Sequence, residues 1–263
     1  MYHSISDDLE KGRSSYFKLC TPIALFRRHL QVLKDEGFTV VDLAAAVCWL
    51  AERSRCSDHR SPAALVANRS RLAVITFDDG YQDFVDAAWP ILCDFGFTAT
   101  VFLPTHFIGS PRRAFKGRNC LTWQEVRELN SAGIRFGSHT INHANLAEID
   151  QALFESEIRD SKRLIEDELG ERIGIFSHPY AFPSPNSDYV RRFRNTLQRN
   201  GYSVGVTTKI GCVRPADDPL LLKRLPINAS DDPDLFRAKL DGAYDWLGTP
   251  QHWLKAARHY LNC

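Results

Sequence analysis

Two adjacent carboxylates end an apolar run in the segment VITFDDG, residues 74–80. A carboxylate buried without a partner costs several kcal/mol unless it is protonated, paired or bound to a cation. Asp78 and Asp79 therefore either cap the end of the run in solvent or share a positively charged partner. If the second reading holds, this stretch is a site for chemistry.

Two histidines in the segment SHTINH are candidate metal ligands. His139 and His143 are four residues apart, and on a helical turn this spacing puts two imidazoles on one side. Surface histidines give the same pattern, so the pair alone is a weak signal. Together with a carboxylate, two imidazoles form the donor set of a catalytic zinc-type site with one position left for water. The second carboxylate would then accept a proton from that water, and spacing does not decide which aspartate has which role.

Composition excludes several classes of function. The 263 residues carry 33 basic and 32 acidic side chains, so nothing in the charge points to nucleic acid or to an acidic membrane surface. No apolar run approaches the roughly 20 residues of a transmembrane helix.

The first residues, MYHSISDDLEKGRSSY, lack the apolar stretch of a signal peptide. The seven cysteines are irregularly spaced without a CxxC motif, which is typical of reduced thiols. These features together predict a cytoplasmic protein and leave its oligomeric state open.

Helical and strand-like patterns alternate along the chain. Helical patterns cover residues 22–37, 44–54, 84–96, 122–133, 150–169 and 187–201, and a final helical segment is expected over 232–261. Strand patterns cover residues 38–43, 72–77, 97–104, 134–140, 173–183, 202–208 and 220–227. Residues 54–71 are polar and loop-like. This alternation predicts a single α/β domain with a mostly parallel sheet and helices outside it. A barrel and an open doubly wound sheet both fit the pattern.

In either architecture, catalytic groups collect where parallel strands end. The aspartate pair ends the strand over 72–77, and His139 ends the strand over 134–140. His178 follows the strand segment IGIFS, and His3 lies near the start of the chain. The sequence therefore predicts one site at this edge of the sheet.

The motifs TFDDG and SHTINH resemble the first two motifs of the polysaccharide deacetylases (carbohydrate esterase family 4, the NodB homology domain). The segments YHSI, FTATVFLP, LTWQEVRELNSAGIRFGSHT and GYSVGV are also similar to that family. The resemblance extends from about residue 2 to about residue 227. It is closest to the branch that deacetylates exopolysaccharides and poly-N-acetylglucosamine, in which an N-terminal Tyr-His is typical.

The resemblance implies a distorted (β/α) barrel of about seven parallel strands, with a barrel domain over residues 1–231 and a helical extension over 232–263 packed on it. It also implies one divalent metal, with zinc favoured over cobalt, nickel and iron. The implied roles are general base for Asp78, general acid for His3, and metal ligand for three residues: Asp79, His139 and His143.

The third motif of the family departs from its usual form. In the segment SHPYAF, Pro179 and Tyr180 match, and the backbone N–H of Tyr180 resembles the donor of an oxyanion hole. His178 replaces an aromatic residue, and Ala181 replaces a glycine. If φ is positive at that glycine, Ala181 would strain the backbone or redirect the loop. His178 is either a pocket wall or a second proton donor, and the wall is the preferred interpretation. The family's late Leu-x-His motif is missing after residue 220, as expected if His3 replaces it.

Three further features are candidates for substrate contact. We predict that His178, Pro179 and His106 touch the substrate, although His106 is equally well explained as a surface histidine. The basic loop after FLPTHFIG is either a contact for an anionic substrate or a solvated loop; its cations are Arg112, Arg113, Lys116 and Arg118. Trp89 and Trp123 lie in helical patterns and are interpreted as core residues.

Three functions remain open at this point. The leading hypothesis is a metal-dependent hydrolase that removes N-acetyl groups from an N-acetylated saccharide in exopolysaccharide or cell-envelope synthesis. The second is the same machinery acting on another amide or imide in a small molecule. The third is an inactive barrel that binds carbohydrate, which rests only on the changes at His178 and Ala181.

Overall fold

The computed structural model describes residues 1–8, 19–55 and 71–247. Its strands are β1 Ser4–Ile5, β2 Cys20–Thr21, β3 Phe38–Val40, β4 Arg71–Ala73, β5 Thr76–Phe77, β6 Thr100–Leu103, β7 Ala114–Phe115, β8 Arg118–Asn119, β9 Arg135–Ser138, β10 Ile175–Ser177, β11 Val204–Ile210 and β12 Leu222–Arg224. Its α-helices are α1 Ile23–Asp35, α2 Leu43–Arg55, α3 Trp89–Phe95, α4 Trp123–Ser131, α5 Gln151–Leu169, α6 Ser187–Arg199 and α7 Pro233–Leu240. A π-helical turn precedes α3 at Phe84–Ala88, and 3₁₀ turns lie at Thr105–Phe107 and Asp245–Leu247.

Within the described ranges, six strands form one parallel sheet in the order β12-β11-β10-β9-β6-β5. The first two residues of the chain join its two edges. Tyr2 N–H donates to the carbonyl of Thr76 on β5 at 2.8 Å, and Ile227 N–H, just past β12, donates to the carbonyl of Met1 at 3.0 Å. The main chain at Met1–Tyr2 thus occupies the position of a seventh strand and closes the curled sheet.

This architecture confirms the predicted fold class, a distorted (β/α) barrel in a single domain. The prediction of one strand over 72–77 was wrong in detail. β4 pairs with β3 in a separate two-stranded sheet, and only β5 belongs to the barrel. A continuous apolar run is compatible with a strand in the two-stranded sheet and with a strand in the barrel, because both strands pack against apolar side chains. The sequence of the run therefore does not show that it divides into β4 and β5.

The strand β10 shows how the barrel divides inner from outer side chains. Ile175 packs with the interior cluster that contains Phe102 and Val206, whereas Phe176 packs outward against Phe193 of α6. Because side chains alternate along a strand, Ser177 points inward again and the residue that follows it points outward. This alternation decides which side chains reach the site.

Helix ends follow their sequence signals. Thr122 and Glu125 form the predicted capping box at the start of α4. Gly96 ends α3 with a left-handed φ of 66°, the conformation that glycine adopts most readily. The predicted helix over 84–96 is therefore present, with its first turn in π-helical form.

The C-terminal part of the described chain packs on α1. Phe236 of α7 stacks on the ring of His29, with centroids 4.3 Å apart. Residues 248–263, and most of the predicted loop over 54–71, lie outside the described residues, so the boundary between residues 231 and 232 stays a prediction. Among the described helices, none combines the length and the apolar character needed to cross a membrane.

Candidate active site

The aspartate pair lies at the carboxyl end of β5, where the chain turns sharply. Asp78 N–H donates to the carbonyl of Tyr2 at 3.0 Å, which fixes the end of the strand. Asp79 and Gly80 then take left-handed φ values of 70° and 57°. Aspartate tolerates this region better than most residues, and a Cβ at position 80 would lie 2.8 Å from Leu103 Cδ2. The turn sends the two carboxylates in different directions.

Asp78 is locked in a buried ion pair with Arg224. The guanidinium donates to both carboxylate oxygens, at 2.7 and 2.8 Å, and Ser177 Oγ donates to Oδ1 at 3.2 Å. The guanidinium also donates to the carbonyl of Thr207 at 3.1 Å. Burial alone would raise the pKa of Asp78, but the charge and hydrogen bonds of Arg224, together with the nearby imidazoles of His139 and His3, outweigh burial and hold that pKa well below its usual range. Asp78 is therefore ionised at neutral pH despite its burial.

His139 follows β9 and presents one defined nitrogen to Asp79. Its Nδ1 lies 2.8 Å from the carbonyl of Ser177, and because a carbonyl accepts only, Nδ1 carries the proton. The unprotonated Nε2 then lies 3.7 Å from Asp79 Oδ1. Burial lowers the pKa of His139 to about 4, so the ring is neutral and its lone pair is free to bind a cation.

His143 reaches the same carboxylate from an irregular loop. Its Nε2 lies 3.2 Å from Asp79 Oδ1, and its ring centroid lies 4.8 Å from that of His139. The predicted helical turn between the two histidines was wrong, since the chain takes left-handed φ values of 68° at Thr140 and 52° at His143. The side chains converge because the loop folds back on itself.

A buried glutamate on α5 holds this loop in place. Glu157, which is 1% exposed, accepts hydrogen bonds from the main-chain N–H groups of Ile141 and Asn142 at 2.8 and 2.9 Å. Its other oxygen accepts from the Asn142 side-chain amide at 2.6 Å. The carboxylate thus satisfies the main chain between the two histidines.

Asp79, His139 and His143 form a buried cluster whose ligand atoms all lie within 4.8 Å of one another. Both oxygens of Asp79 are buried, and neither makes a hydrogen bond with the described residues. A buried ionised carboxylate with no donor is expensive, and a cation between it and the two imidazoles removes that cost. The residues therefore fit a divalent metal, with the donor types that zinc and related ions prefer.

His3 lies beside the two carboxylates because the closing strand carries it there. The paired main chain of Met1–Tyr2 ends at this residue, and β1 begins at Ser4. The imidazole is half-buried and is electrostatically coupled to Asp79 and Asp78. Burial lowers its pKa, and the two carboxylates oppose that shift.

The third motif places Tyr180 at the mouth of the site. Tyr180 has a left-handed φ of 56° and a side chain that is 48% exposed, and its ring lies edge-on to His143 with centroids 4.6 Å apart. Its N–H makes no hydrogen bond within the described residues, so it is available to a ligand. The strain expected at Ala181 is absent, because the positive φ falls on Tyr180 instead. Pro179 is buried behind it.

The structure does not place His178 on a pocket wall. The side chain is fully buried and points outward from the barrel, where its Nε2 lies 2.6 Å from Tyr189 Oη. Its ring packs edge-on against Phe182 and Phe193, with centroids 4.9 and 5.2 Å apart. A residue on the outer face of β10 is separated from the interior by the sheet itself, so His178 supports packing between the sheet and α6.

The loop over 105–120 divides into structural and site-facing residues. Arg112 makes a bidentate pair with Glu125 of α4, and Arg113 donates to the carbonyl of the exposed His106. His106 N–H donates to the carbonyl of Ile141 at 2.9 Å, so His106 lies beside the histidine loop at the rim. Lys116, in contrast, reaches the cluster, with Nζ 3.9 Å from Asp79 Oδ2.

Sequence reasoning missed Arg224, Ser177 and Glu157 as site residues. Arg224 is a charged residue inside the apolar run LLLKRLPI, which is itself a signal, because a buried charge requires a partner. Glu157 lies on the apolar face of α5 and gives the same signal. Ser177 carries no such mark.

The polysaccharide deacetylase family model matches residues 66–205. This segment contains the aspartate pair, the histidine loop and Tyr180, whereas His3 and Arg224 lie outside it.

Individual relatives agree with the family match. YxkH of Bacillus subtilis (strain 168), whose name assigns it provisionally to the polysaccharide deacetylases, is 28% identical over 241 residues, which cover 92% of this chain and 75% of that protein. The poly-beta-1,6-N-acetyl-D-glucosamine N-deacetylase of Staphylococcus epidermidis is 26% identical over 163 residues, which cover 59% of this chain and 54% of that protein. Among solved structures, the Streptococcus pyogenes deacetylase PplD in complex with acetate superimposes with a TM-score of 0.71 at 24% identity, over 91% of this chain and 95% of that one; at this identity the likeness shows the fold. The matched segment contains Asp79, His139 and His143. The chain belongs to the polysaccharide deacetylase family of hydrolases.

Proposed function

We propose that the protein is a metal-dependent N-deacetylase that hydrolyses the acetamido group of an N-acetylated saccharide, with acetate and a free amine as products. The observation that carries this proposal is the pair of carboxylates at the end of β5. Asp79 is buried beside two imidazoles, with no hydrogen bond to either oxygen within the described residues, and Asp78 is ionised by its contact with Arg224. One carboxylate fits a cation and the other fits a base.

The metal ligands would be Asp79, His139 and His143, and zinc suits two imidazoles with one carboxylate. A divalent cation bound there would polarise the acetyl carbonyl and increase the acidity of a nearby water. Asp78 accepts the proton of the attacking water. Arg224 donates to both oxygens and Ser177 donates to Oδ1 as well, so the second lone pair of Oδ2 is the acceptor site that Asp78 keeps.

Two further groups complete the reaction. The Tyr180 N–H, which has no partner within the described residues, donates to the oxygen that gains negative charge as water adds to the carbonyl. In its protonated form, which the charges of Asp79 and Asp78 favour, His3 donates a proton to the nitrogen as the carbon–nitrogen bond breaks and is left neutral. The electrostatic influence of both aspartates on His3 supports this role.

The substrate class rests on the family and on a named relative. The Staphylococcus epidermidis relative is a poly-beta-1,6-N-acetyl-D-glucosamine N-deacetylase, and this chain spans about half of its length. We therefore propose N-acetylglucosamine oligomers as the first substrates to test. A cytoplasmic location and substrate contacts by Pro179 and His106 stay predictions.

The test is acetate release from β-1,6- and β-1,4-linked N-acetylglucosamine oligomers, measured with chelator, with added zinc and in the variants Asp78→Asn and His3→Gln. We expect chelator-sensitive release that falls at least about a hundredfold in either variant, the usual contribution of a general base or acid. Melting temperature and metal content control for misfolding, since Asp78→Asn disturbs a buried pair. If the wild-type protein binds metal but releases no acetate, the deacetylase proposal fails, and hydrolysis of other amides or carbohydrate binding becomes the next hypothesis.

A further inference from the structure

The tip of the β7–β8 hairpin is built from a residue that does not suit its backbone conformation. Phe115 pairs with Arg118, so Lys116 and Gly117 form a two-residue turn, and both have positive φ, 49° and 79°. Turns of this kind strongly prefer Asn-Gly or Asp-Gly. A lysine in the left-handed region is strained, and such strain is concentrated at functional sites.

The side chain of Lys116 points at the cluster of candidate metal ligands. Its ammonium lies 3.9 Å from Asp79 Oδ2 and over the rings of Phe115 and Tyr180, 4.5 and 5.5 Å from their centroids. The neighbouring arginines of the loop have partners of their own: Glu125 for Arg112, the His106 carbonyl for Arg113 and, at 3.8 Å, Asp83 for Arg118. Lys116 is therefore the cation of this loop that reaches the site.

The charges around the cluster show what Lys116 would do once a metal is bound. Asp78 is neutralised by Arg224, and within the described part of the chain Asp79 is the carboxylate that pairs with Lys116. Neutral imidazoles add no charge, so a dication leaves two positive charges uncompensated. Asp78 cannot turn to Lys116, because Arg224 holds both of its oxygens. The metal-loaded site thus has an unmet preference for an anion.

We propose that Lys116 is an anion-binding residue of the metal-loaded site, and that it holds the carboxylate of acetate, the product of the proposed reaction. This inference rests on the proposed function for its ligand. Its test measures binding alone, so that it can fail separately.

The experiment titrates sodium acetate into zinc-loaded protein by calorimetry, with zinc content measured for each variant. Lys116→Met keeps the apolar stem and the same backbone strain but removes the charge, and Lys116→Arg keeps the charge. Lys34→Met is the matched control, because Lys34 also lies over a phenylalanine ring, 5.8 Å from the centroid of Phe95, on the outer helices. We expect Lys116→Met to weaken acetate binding about tenfold or more, as the loss of a charge-assisted contact implies. Lys116→Arg keeps the charge and should bind acetate more tightly than Lys116→Met, and Lys34→Met should bind within about twofold of wild type.

Two outcomes overturn the inference. Unchanged acetate affinity in Lys116→Met with full zinc content shows that Lys116 is only a counter-ion of Asp79. Acetate that does not bind to the wild-type holoprotein refutes the site even if oligomers are deacetylated. A third variant, Lys116→Asn, separates function from structure. Asparagine suits this turn, so we expect Lys116→Asn to have a higher melting temperature together with weaker acetate binding. Unchanged acetate binding in this variant would show that Lys116 has no role in binding the anion.

Discussion

Arg224 holds both carboxylate oxygens of Asp78, at 2.7 and 2.8 Å, across the seam where the curled sheet closes. The two residues are 146 positions apart in the chain, and their side chains are 5% and 3% exposed. One residue ends β12 and the other follows β5, the two edge strands joined by the main chain of Met1–Tyr2. The pair therefore links closure of the barrel to the charge state of the candidate base.

Removing the guanidinium should cost more than the pair itself contributes. In Arg224→Met, Asp78 remains buried without its cation, so we expect the free energy of unfolding to fall by about 3–5 kcal/mol. The measurement is urea unfolding at pH 7. The double variant Asp78→Asn/Arg224→Met should recover part of that loss, because it leaves no uncompensated charge. A double variant that is less stable than Arg224→Met contradicts this account.

Glu157 should control metal affinity without touching the metal. In Glu157→Gln the carbonyl oxygen can still accept from the N–H groups of Ile141 and Asn142, but these hydrogen bonds lose the negative charge of the acceptor, and the new NH₂ faces the Asn142 side-chain amide. The loop that carries His143 is therefore held less firmly. We expect zinc affinity to fall about 10–100-fold, as for other residues that orient metal ligands. Competition with a chelating dye measures it.

The matched control for this prediction is Glu168→Gln on the same helix. Glu168 makes a surface pair with Arg127 at 2.7 Å, and its loss should leave zinc affinity unchanged. Equal zinc affinity in Glu157→Gln and wild type would show that the loop holds its shape without the carboxylate.

The alternation of helices and strands was enough to predict a parallel sheet with helices outside it, because parallel strands joined by helices have few alternative arrangements. The choice of a barrel over an open sheet came from the resemblance to the polysaccharide deacetylases. The closing strand was not predictable. Met1–Tyr2 makes only main-chain pairs at the seam, and two residues carry no periodicity. The split between β4 and β5 was hidden for a similar reason, since the run over 72–77 is apolar throughout.

The candidate site was predicted in part. Asp79, His139 and His143 do lie together, but the reason given for the histidines, a helical turn, was wrong. A chain with left-handed residues at Thr140 and His143 cannot be inferred from spacing. Whether a histidine at a strand end faces the barrel interior depends on strand register. Side chains alternate between the two faces of β10, so His178 points outward because Ser177, one residue earlier, points inward. The roles assigned to these residues stay predictions until they are tested.

Metal should stabilise the wild-type protein and not Asp79→Asn. Asparagine tolerates the φ of 70° at this position, so the variant should fold while losing the charged ligand. At zinc concentrations about 100 times the dissociation constant, the wild-type protein should gain about 2.7 kcal/mol of stability. Thermal unfolding with zinc and with chelator measures the gain, and an equal gain in Asp79→Asn would place the metal elsewhere.

A buried histidine far from the metal cluster should make the closing strand sensitive to acid. Tyr2 Oη lies 3.1 Å from His29 Nδ1, and His29 Nε2 contacts the carbonyl of Asp231. Because the carbonyl only accepts, Nε2 carries the proton and Nδ1 accepts from the tyrosine. Burial lowers the pKa of His29 in the folded protein. Below the unfolded value of about 6.5, the unfolded chain therefore binds a proton that the folded chain does not.

Acid should destabilise the folded protein through His29. The stability contributed by neutral His29 is fully present above about pH 6.5 and is lost as the pH falls toward the lower pKa of the folded state. We expect the unfolding free energy of wild type to fall more steeply between about pH 6.5 and 5 than that of His29→Gln, by up to about 1.4 kcal/mol per pH unit. Urea unfolding at several pH values measures both slopes, and His106→Gln, which removes an exposed imidazole, should keep the wild-type slope. If the unfolding free energies of wild type and His29→Gln changed in parallel with pH, protonation of His29 would not affect the contact that holds Tyr2. It would then not affect the position of the neighbouring His3.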